Sequence, residues 1–291
     1  MSGDVLVTGA SGQLGYELAR TIPVGVTMHA LTRAELDLLD VAAVARLIDT
    51  RRPAVIINAA AYTAVDRAES EPELAEDINV KAVRALAGAA ARCDARLIHV
   101  STDFVFGEGV GRPWRTDDLT SPQSVYGRTK RDGERAVLDQ LGSRALVIRT
   151  AWLYSAHGTN FVKTMLRLMR ERDSLRVVAD QVGTPTWART LATTIWAAVE
   201  RPDVSGILHW TDAGVASWYD LAVAISEDAV TAGLLAHRVP VHPIATADYP
   251  TPASRPAYSV LDKAATTAAL GVQPMHWRAA LRLMLSDLAH A

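Results

Sequence analysis

A tyrosine and a lysine stand four residues apart, at Tyr126 and Lys130. In a helix this spacing puts both side chains on one face, about one turn apart. Such a pair can protonate the alkoxide that forms when hydride reduces a ketone, with tyrosine as the acid and lysine as its partner. The lysine and an oxidised nicotinamide are expected to lower the tyrosine pKa from about 10. Thr102 adds a hydroxyl for the same carbonyl oxygen; the alternative is a packed tyrosine and a solvated lysine.

A glycine-rich turn lies near the start of the chain, where Gly9, Gly12 and Gly15 have the spacing G-x-x-G-x-x-G. The turn follows an apolar run and opens a helical pattern, so its glycines would let the backbone approach a pyrophosphate. The helix N-terminus would offer free N–H groups to the phosphates. The spacing predicts a dinucleotide site; the alternative is an ordinary strand-to-helix turn.

The segment after the second predicted strand bears on the choice of cofactor. A site selective for NAD would place an acid there, on the ribose diol. Arg33 occupies this region instead and could pair with a 2′-phosphate, although it could also be a solvated surface side chain. NADPH is therefore the predicted cofactor, with NADH as the alternative. Asp37 and Leu38 follow and are expected to flank the adenine.

Short apolar runs alternate with longer helical patterns along the first half of the chain. The strands and helices that they predict must position the glycine turn and the tyrosine–lysine pair. Parallel strands joined by crossover helices are the expected result, with apolar strands covered on both faces. The fold class is α/β: a Rossmann-type doubly wound parallel sheet with a smaller C-terminal substrate-binding lobe. We expect residues 1–150 to form the nucleotide-binding domain, joined by part of 175–203, and residues 151–291 to form mainly the lobe. Strands are predicted at 5–7, 27–31, 55–57, 96–101 and 145–149, and helices at 12–21, 40–50, 73–92, 126–141, 160–172, 186–200, 217–232 and 276–289.

Composition excludes several classes of protein. The chain has 30 basic and 32 acidic residues, a balance that suggests no nucleic acid or anionic membrane as a partner. No apolar run is long enough to span a bilayer, and the first residues lack the pattern of a signal peptide, so we expect a cytoplasmic protein. The single cysteine, Cys93, belongs to no metal-binding spacing, and no metal is predicted.

Further stretches match one family of reductases in chain order along almost the whole sequence. They are Asn58–Asp66, Ser101–Phe106, Arg149–Tyr154, Asn160–Phe161, Asp180–Thr186 and Tyr249–Pro256. With the glycine turn and the tyrosine–lysine pair, the chain resembles the dTDP-4-dehydrorhamnose reductase family, within the extended short-chain dehydrogenases/reductases. The resemblance implies reduction of the C4 ketone of dTDP-4-dehydro-L-rhamnose to dTDP-L-rhamnose by NAD(P)H, with Tyr126 as the proton donor and Lys130 as its partner.

The resemblance also implies roles for individual residues. For the cofactor they are Gly12, Gln13 and Leu14 at the diphosphate, Asp37 and Leu38 near the adenosine, and Ala61, Tyr62 and Thr63 along a strand end. For the deoxysugar they are Thr102, Asp103 and Trp152. Asn160 and Gln181 could bond sugar or pyrophosphate oxygens, or simply cap and turn the chain. Arg255 could anchor the substrate diphosphate, or form an ion pair.

Two alternatives share these motifs. A dTDP-dihydrostreptose synthase, or another dTDP-4-keto-6-deoxyhexose reductase of an antibiotic pathway, would use the same chemistry on a different sugar. A regulatory subunit of the same fold should have lost the tyrosine or the lysine. Some family members form a metal-bridged dimer through carboxylates near Glu17 and on a later helix, where this chain has Arg189 and Thr193. A magnesium bridge is therefore not expected, and the chain is predicted to be a monomer or a homodimer.

Overall fold

A six-stranded parallel sheet forms the centre of the computed structural model, which describes residues 4–108 and 111–290. Its strands are β1 (Asp4–Thr8), β2 (Thr27–Leu31), β3 (Val55–Asn58), β4 (Arg96–Thr102), β5 (Ala145–Thr150) and β10 (Gly206–His209). They lie in the order β2-β1-β3-β4-β5-β10, and every neighbouring pair is parallel. The chain reverses its direction of winding between β1 and β3, where folds of this kind bind ligands at the carboxyl ends of the strands. The predicted doubly wound sheet is confirmed.

Helices cover both faces of this sheet, because successive side chains along its strands point alternately into two apolar cores. Leu6 and Ile56 pack into one core, while Val5, Val7 and Ile57 pack into the other. The helices of the nucleotide-binding half are α1 (Gln13–Arg20), α2 (Val41–Arg51), α3 (Val65–Ala68), α4 (Pro72–Glu76), α5 (Ala82–Arg92) and α6 (Val125–Leu141). The predicted helix over 73–92 is interrupted: a π turn at Asp77–Lys81 separates α4 from α5.

The second half of the chain adds a third apolar core and three two-stranded sheets. Its remaining strands are β6 (Leu153–Tyr154), β7 (Leu175–Val178), β8 (Val182–Gly183), β9 (Thr186–Trp187), β11 (Ala216–Ser217) and β12 (Val241–Ile244). Its helices are α7 (Phe161–Glu171), α8 (Ala188–Val199), α9 (Trp218–Thr231), α10 (Ala264–Leu270) and α11 (Trp277–Ala289). Among the residues described, no helix has the length and apolar character needed to cross a membrane.

The central sheet takes a strand that the sequence did not indicate. β10 pairs with β5 from Gly206 to His209, just beyond the segment 175–203 that was expected to join the nucleotide-binding domain. Helix α8, inside that segment, packs against α1 and its Trp196 Nε1 donates to the Leu18 carbonyl at 3.1 Å. The division at residue 150 stays a prediction.

Candidate active site

A cavity of about 690 Å³ opens at the carboxyl ends of the strands. It lies between the glycine turn, the start of α6 and the loop after β5. The predicted site residues that line it are Gly9, Gly12, Gln13, Leu14, Arg33, Asp37, Leu38, Ala61, Thr63, Thr102, Asp103, Tyr126, Lys130, Trp152, Asn160 and Arg255. The sequence therefore anticipated much of one continuous surface from residues spread over about 250 positions.

The glycine turn has the form that a dinucleotide phosphate requires. Gly9 has φ +74°, and a Cβ there would lie 2.7 Å from the Ala60 nitrogen, so only glycine fits between β1 and β3. Gly12 precedes α1 without any side-chain cap, and the first turn of the helix carries no acid. The first N–H groups of α1 are thus free to bind an anion beside Gln13 in the cavity wall. These features fit a nicotinamide dinucleotide.

The adenosine end of the cavity is polar and open. Arg33 is largely exposed and its guanidinium lies 3.6 Å from the Asp37 carboxylate. Asp37 in turn accepts a hydrogen bond from the Leu39 N–H at 3.1 Å. A loose, exposed ion pair of this kind contributes little stability, so the guanidinium can turn to a phosphate without a large loss.

Tyr126 and Lys130 lie in the first turns of α6, which begins at the N-cap Ser124. The Ser124 hydroxyl accepts a hydrogen bond from the Gly127 N–H at 3.1 Å. Both functional side chains are buried at their base and reach the cavity. The Lys130 Nζ donates to the Val100 carbonyl at 2.7 Å, which fixes the amine at the end of β4.

The acid–base states of this pair differ from the expectation. The predicted lowering of the Tyr126 pKa was wrong, because burial raises it to about 12 while the neighbouring Thr102 hydroxyl acts in the opposite direction. Tyr126 is therefore fully protonated near neutrality, which is the form that can donate a proton. Burial lowers the pKa of Lys130 to about 8, and the nearby Glu134 charge offsets part of this effect.

Asp103 is the buried acid of the site. Its Oδ1 accepts a hydrogen bond from the Thr102 hydroxyl at 2.9 Å. Oδ2 makes no hydrogen bond of ordinary geometry among the described residues, although the Ser259 hydroxyl lies near enough to stabilise the charged form. Burial raises the pKa of Asp103 to about 6. The Thr150 hydroxyl on the same cavity wall is buried, and no residue in the described part of the chain forms a hydrogen bond with it. Unsatisfied buried groups in a cleft are typical of a surface shaped for a polar ligand.

Trp152 forms an aromatic wall of the cavity that Tyr126 and Lys130 also line. It has φ +46°, which is rare outside glycine, and its ring stacks on Trp218 at 3.6 Å. A Cβ at Gly183 would lie 2.6 Å from the Trp152 ring, so this glycine makes room for the stack. Gly183 belongs to a stretch that matched the family, but nothing in the sequence signalled its contact with Trp152 or the place of Trp218 in the site, since both depend on contacts between distant segments.

Arg255 reaches the cavity as one half of an ion pair. Its Nη2 lies 2.7 Å from Oδ2 of Asp66, and its Nη1 donates to Thr251 Oγ1 at 2.6 Å. Arg255 and Ala253 N–H hydrogen bonds lower the pKa of Asp66. The ion-pair alternative for Arg255 is thus present in this structure. The bond joins the lobe to helix α3.

Three predicted residues have other contacts and do not line the cavity in the part of the chain described. The Tyr62 hydroxyl donates to Glu71 at 2.5 Å, so its ring turns away from the cofactor surface. Gln181 accepts from the Trp218 indole N–H at 3.1 Å and donates to Thr246, which makes it a support for the aromatic wall. Gly15 sits inside the turn, against the Gly9 carbonyl.

Asn160 joins the lobe to the glycine turn. Its side chain caps α7 by accepting from the Lys163 N–H at 3.1 Å, and its Nδ2 donates to Gln13 at 2.8 Å. His157, in the same loop, stacks on Tyr16 with ring centroids 4.4 Å apart. Asn160 therefore caps a helix, as one of the two predicted alternatives stated. The same side chain also contacts Gln13, next to the glycine turn.

The π turn at Asp77–Lys81 connects the segment that follows β3 with helix α6. Asn79 accepts from the Tyr62 N–H at 2.9 Å and donates back to the Tyr62 carbonyl at 3.1 Å. It also donates to the Thr129 hydroxyl, next to Lys130, at 3.1 Å. π turns often occur where a helix has a functional contact. No local pattern predicted this π turn, which falls inside the predicted helix over 73–92.

Arg189 occupies the region where some relatives were expected to bind metal. Its guanidinium lies 2.9 Å from the Glu17 carboxylate and also pairs with Asp287. Glu17 is fully buried and accepts a further bond from the Ser155 hydroxyl at 2.8 Å. Within residues 4–108 and 111–290, His, Cys, Asp and Glu side chains form no group of three that could hold a metal ion.

The comparison with known proteins decides the family. A family model described as the RmlD substrate binding domain matches residues 3–290. The chain belongs to this family. A dTDP-4-dehydrorhamnose reductase of Streptomyces griseus is 46% identical over 283 residues, which cover 95% of this chain and 91% of the relative. One from Aggregatibacter actinomycetemcomitans is 43% identical over 285 residues, covering 96% and 97%. The predicted resemblance is confirmed.

A solved structure agrees with this assignment to the RmlD family. The dTDP-4-dehydrorhamnose reductase of Bacillus anthracis, in complex with NADP, has a TM-score of 0.93 and 32% identity. The alignment covers 99% of this chain and 100% of the other. The fold and the full length of this RmlD-family chain are therefore shared with a reductase that binds NADP.

Proposed function

We propose that the chain reduces the C4 ketone of dTDP-4-dehydro-L-rhamnose to dTDP-L-rhamnose, with NADPH as the hydride donor. One observation carries the proposal: a single cavity is lined by the glycine turn, by Tyr126 and Lys130, and by Asp103 and Trp152. Membership of the RmlD family, and relatives named as dTDP-4-dehydrorhamnose reductases, support this substrate and this reaction.

Each group of residues has a proposed part in the reaction. The free N–H groups of Gln13 and Leu14, the first residues of α1, bind the cofactor diphosphate, and NADPH supplies hydride when bound. Tyr126, kept protonated by burial, donates its hydroxyl proton to the C4 oxygen as negative charge develops there. The Thr102 hydroxyl, which donates to Asp103 in this structure, turns to donate a second hydrogen bond to that oxygen, and the Trp152 ring packs against the sugar. Arg33 binds the 2′-phosphate of NADPH.

The proposed sugar nucleotide and the proposed cofactor can be tested together in one experiment. dTDP-4-dehydro-L-rhamnose is made in situ from dTDP-4-dehydro-6-deoxy-glucose by a 3,5-epimerase and supplied with NADPH or NADH, and the product is identified by NMR. We expect dTDP-L-rhamnose, formed faster with NADPH. Reduction of a different dTDP-4-keto sugar in its place would favour the dihydrostreptose-type alternative and overturn the proposed substrate. No reduction of any such sugar would overturn the function itself. Cytoplasmic location and a monomeric or dimeric state remain predictions.

A further inference from the structure

A line of buried polar side chains runs from β1 to the catalytic lysine. The Thr8 hydroxyl donates to Asn58 Oδ1 at 2.7 Å, and Asn58 Nδ2 lies 3.0 Å from His99 Nδ1. His99 Nε2 lies 3.5 Å from the Nζ of Lys130. Each of these four residues is at most 2% exposed. Of these four residues, only Lys130 lines the cavity in which the reaction is proposed.

The direction of this chain of hydrogen bonds is fixed by a backbone group. The Ala60 N–H, which can only donate, lies 3.3 Å from Asn58 Oδ1, so that atom is the amide oxygen. Asn58 Nδ2 therefore faces His99 and can only donate to it. His99 Nδ1 must then accept, and a neutral imidazole carries its proton on Nε2. Burial keeps the pKa of His99 well below 6.5, so the ring is neutral.

The Nε2–H of His99 thus points at a nitrogen that can accept a hydrogen bond only when it is uncharged. A neutral amine at Lys130 can donate to the Val100 carbonyl and accept from His99 at the same time. An ammonium can make only the first of these contacts. We propose that Thr8, Asn58 and His99 act as positioning residues that present an N–H to Lys130 and favour its neutral amine over the ammonium.

The other charged groups around Lys130 do not reproduce this contact. Glu134, one turn further along α6, favours the ammonium, but its carboxylate is paired with Arg149 from β5 at 2.8 Å. Asp103 follows β4 and carries a raised pKa. On the π turn packed against α6, Asp77 and Lys81 form an exposed pair with each other. His99, on strand β4, differs from these groups because its contact with Asn58 determines that it presents an N–H to Lys130.

The chemical consequence rests on the proposed function. After Tyr126 gives its proton to the substrate oxygen, the phenolate must regain one. Lys130 lines the same cavity as Tyr126, and a Lys130 ammonium that gives up a proton there becomes a neutral amine, which the His99 N–H stabilises. Solvent then returns a proton to the amine through the cavity, which Lys130 lines. The chain from Thr8 to His99 would thus assist reloading of the acid between turnovers.

Titration of the lysines tests the proposal without turnover. The protein has four lysines, Lys81, Lys130, Lys163 and Lys263, so ¹³C labelling at Cε gives a simple NMR spectrum. In Asn58→Asp the new carboxylate can accept from His99 Nδ1–H, which reverses the imidazole and lets Nε2 accept from an ammonium. We expect the acid dissociation constant of Lys130 to fall about tenfold, that is, a rise of about one pKa unit. An unchanged or lowered pKa would overturn the proposal.

A matched variant separates hydrogen bonding from charge alone. Asn79→Asp also puts a carboxylate in place of a buried amide, beside Thr129, without touching His99. Its effect on Lys130 should be clearly smaller, and an equal shift in both variants would contradict the proposal.

The tautomer itself can be measured on the unaltered protein, so the proposal can fail even if a variant does not fold. With ¹⁵N-histidine labelling, eight residues contribute, and His99 is assigned by its absence in His99→Gln. We expect a pyrrole-type Nε2 and a pyridine-type Nδ1. The opposite tautomer would overturn the proposal. Because neither NMR measurement needs substrate, absence of reductase activity would count only against the proposed function.

Discussion

The guanidinium of Arg149 forms two parallel hydrogen bonds with the carboxylate of Glu134, at 2.9 and 2.8 Å, deep between β5 and α6. Both side chains are only 3% exposed. Glu134 accepts a third bond from the Ser101 hydroxyl, and Arg149 lies over the Phe106 ring at 5.0 Å. The pair thereby fixes the catalytic helix to the ends of β4 and β5, four residues beyond Lys130.

Removing one partner of this pair should strongly destabilise the fold, because the other charge is left buried. We expect Glu134→Gln or Arg149→Met to lower the free energy of unfolding by about 3–5 kcal/mol. Urea denaturation of both single variants and of the double variant measures this directly. The double variant should lose less than the sum of the single losses, since it leaves no unpaired charge. Additive losses, or single losses below about 1 kcal/mol, would show that the pair is not coupled.

Tyr126→Phe should remove the proton donor while leaving the cofactor surface intact. We expect kcat to fall by about three orders of magnitude, within the range that general acids contribute, with unchanged NADPH affinity. Steady-state kinetics and fluorescence titration check the two parts. Tyr249→Phe is the matched control, because this tyrosine is 61% exposed and outside the cavity lining. A Tyr126→Phe enzyme with near-normal turnover would rule out the assignment.

The raised pKa of Asp103 predicts how its contribution to the free energy of unfolding changes with pH. Between its ordinary value of 3.8 and about 6, the folded protein holds this proton more tightly than the unfolded chain. The contribution of Asp103 to the free energy of unfolding therefore falls as pH rises through this window. Relative to Asp103→Asn, the unaltered protein should lose on the order of 3 kcal/mol between pH 4 and pH 7.

Urea denaturation of both proteins at several pH values measures this difference. Asp94→Asn serves as the control, because the Asp94 side chain is 90% exposed and its substitution should give a nearly constant difference. If the difference for Asp103→Asn stays constant across the window, burial does not perturb this carboxyl as described. A more stable Asp103→Asn protein with weakened substrate binding would show that the site holds its acid at the expense of stability.

Gly183→Ala should disturb the aromatic wall without touching the catalytic helix. The added methyl group would lie 2.6–2.8 Å from the Trp152 ring, which has no room to retreat because it stacks on Trp218. We expect KM for the sugar nucleotide to rise about tenfold, equivalent to about 1.4 kcal/mol, with NADPH affinity unchanged. Gly88→Ala, whose methyl group meets only the flexible Gln140 side chain, is the control. Equal kinetics for both variants would argue against Trp152 as a substrate contact.

Arg33→Ala tests the proposed choice of cofactor. Loss of a 2′-phosphate contact should weaken NADPH binding by about tenfold, or about 1.4 kcal/mol, and leave NADH binding unchanged. Fluorescence titration with each cofactor gives the two dissociation constants. Arg92→Ala, at a half-exposed arginine that also forms a surface ion pair, should change neither. An equal loss for both cofactors in Arg33→Ala would place the arginine at some other part of the dinucleotide.

The sequence predicted best where a local pattern determines the structure. The apolar runs of β1, β3, β4 and β5 were identified because buried parallel strands are almost entirely apolar. Strand β10 was missed because its four residues, Gly206–His209, are short, start with glycine and have little pattern of their own. Its place depends on pairing with β5, which local residues do not encode.

In the site, residue types and spacing identified Tyr126, Lys130 and the glycine turn, but not the environment that sets their chemistry. The direction of the Tyr126 pKa was mispredicted because burial, the larger effect, is invisible in a spacing of four residues. The partner of Arg255 could not be foreseen either, since Asp66 lies 189 positions earlier in the chain. The sequence signals the reactive groups, whereas long-range contacts determine their protonation and support.

The π turn at Asp77–Lys81 bears on how this helix tolerates changes in length. A π turn closes its hydrogen bonds over one more residue than an α turn, so it absorbs an extra residue without re-orienting α4 and α5. Deleting one residue there would leave a continuous helix that still covers the sheet. What would disappear is the bulge that brings Asn79 to Tyr62 and Thr129. Without the extra residue of the π turn, this helix would only cover the sheet. With it, Asn79 connects the segment after β3 to helix α6.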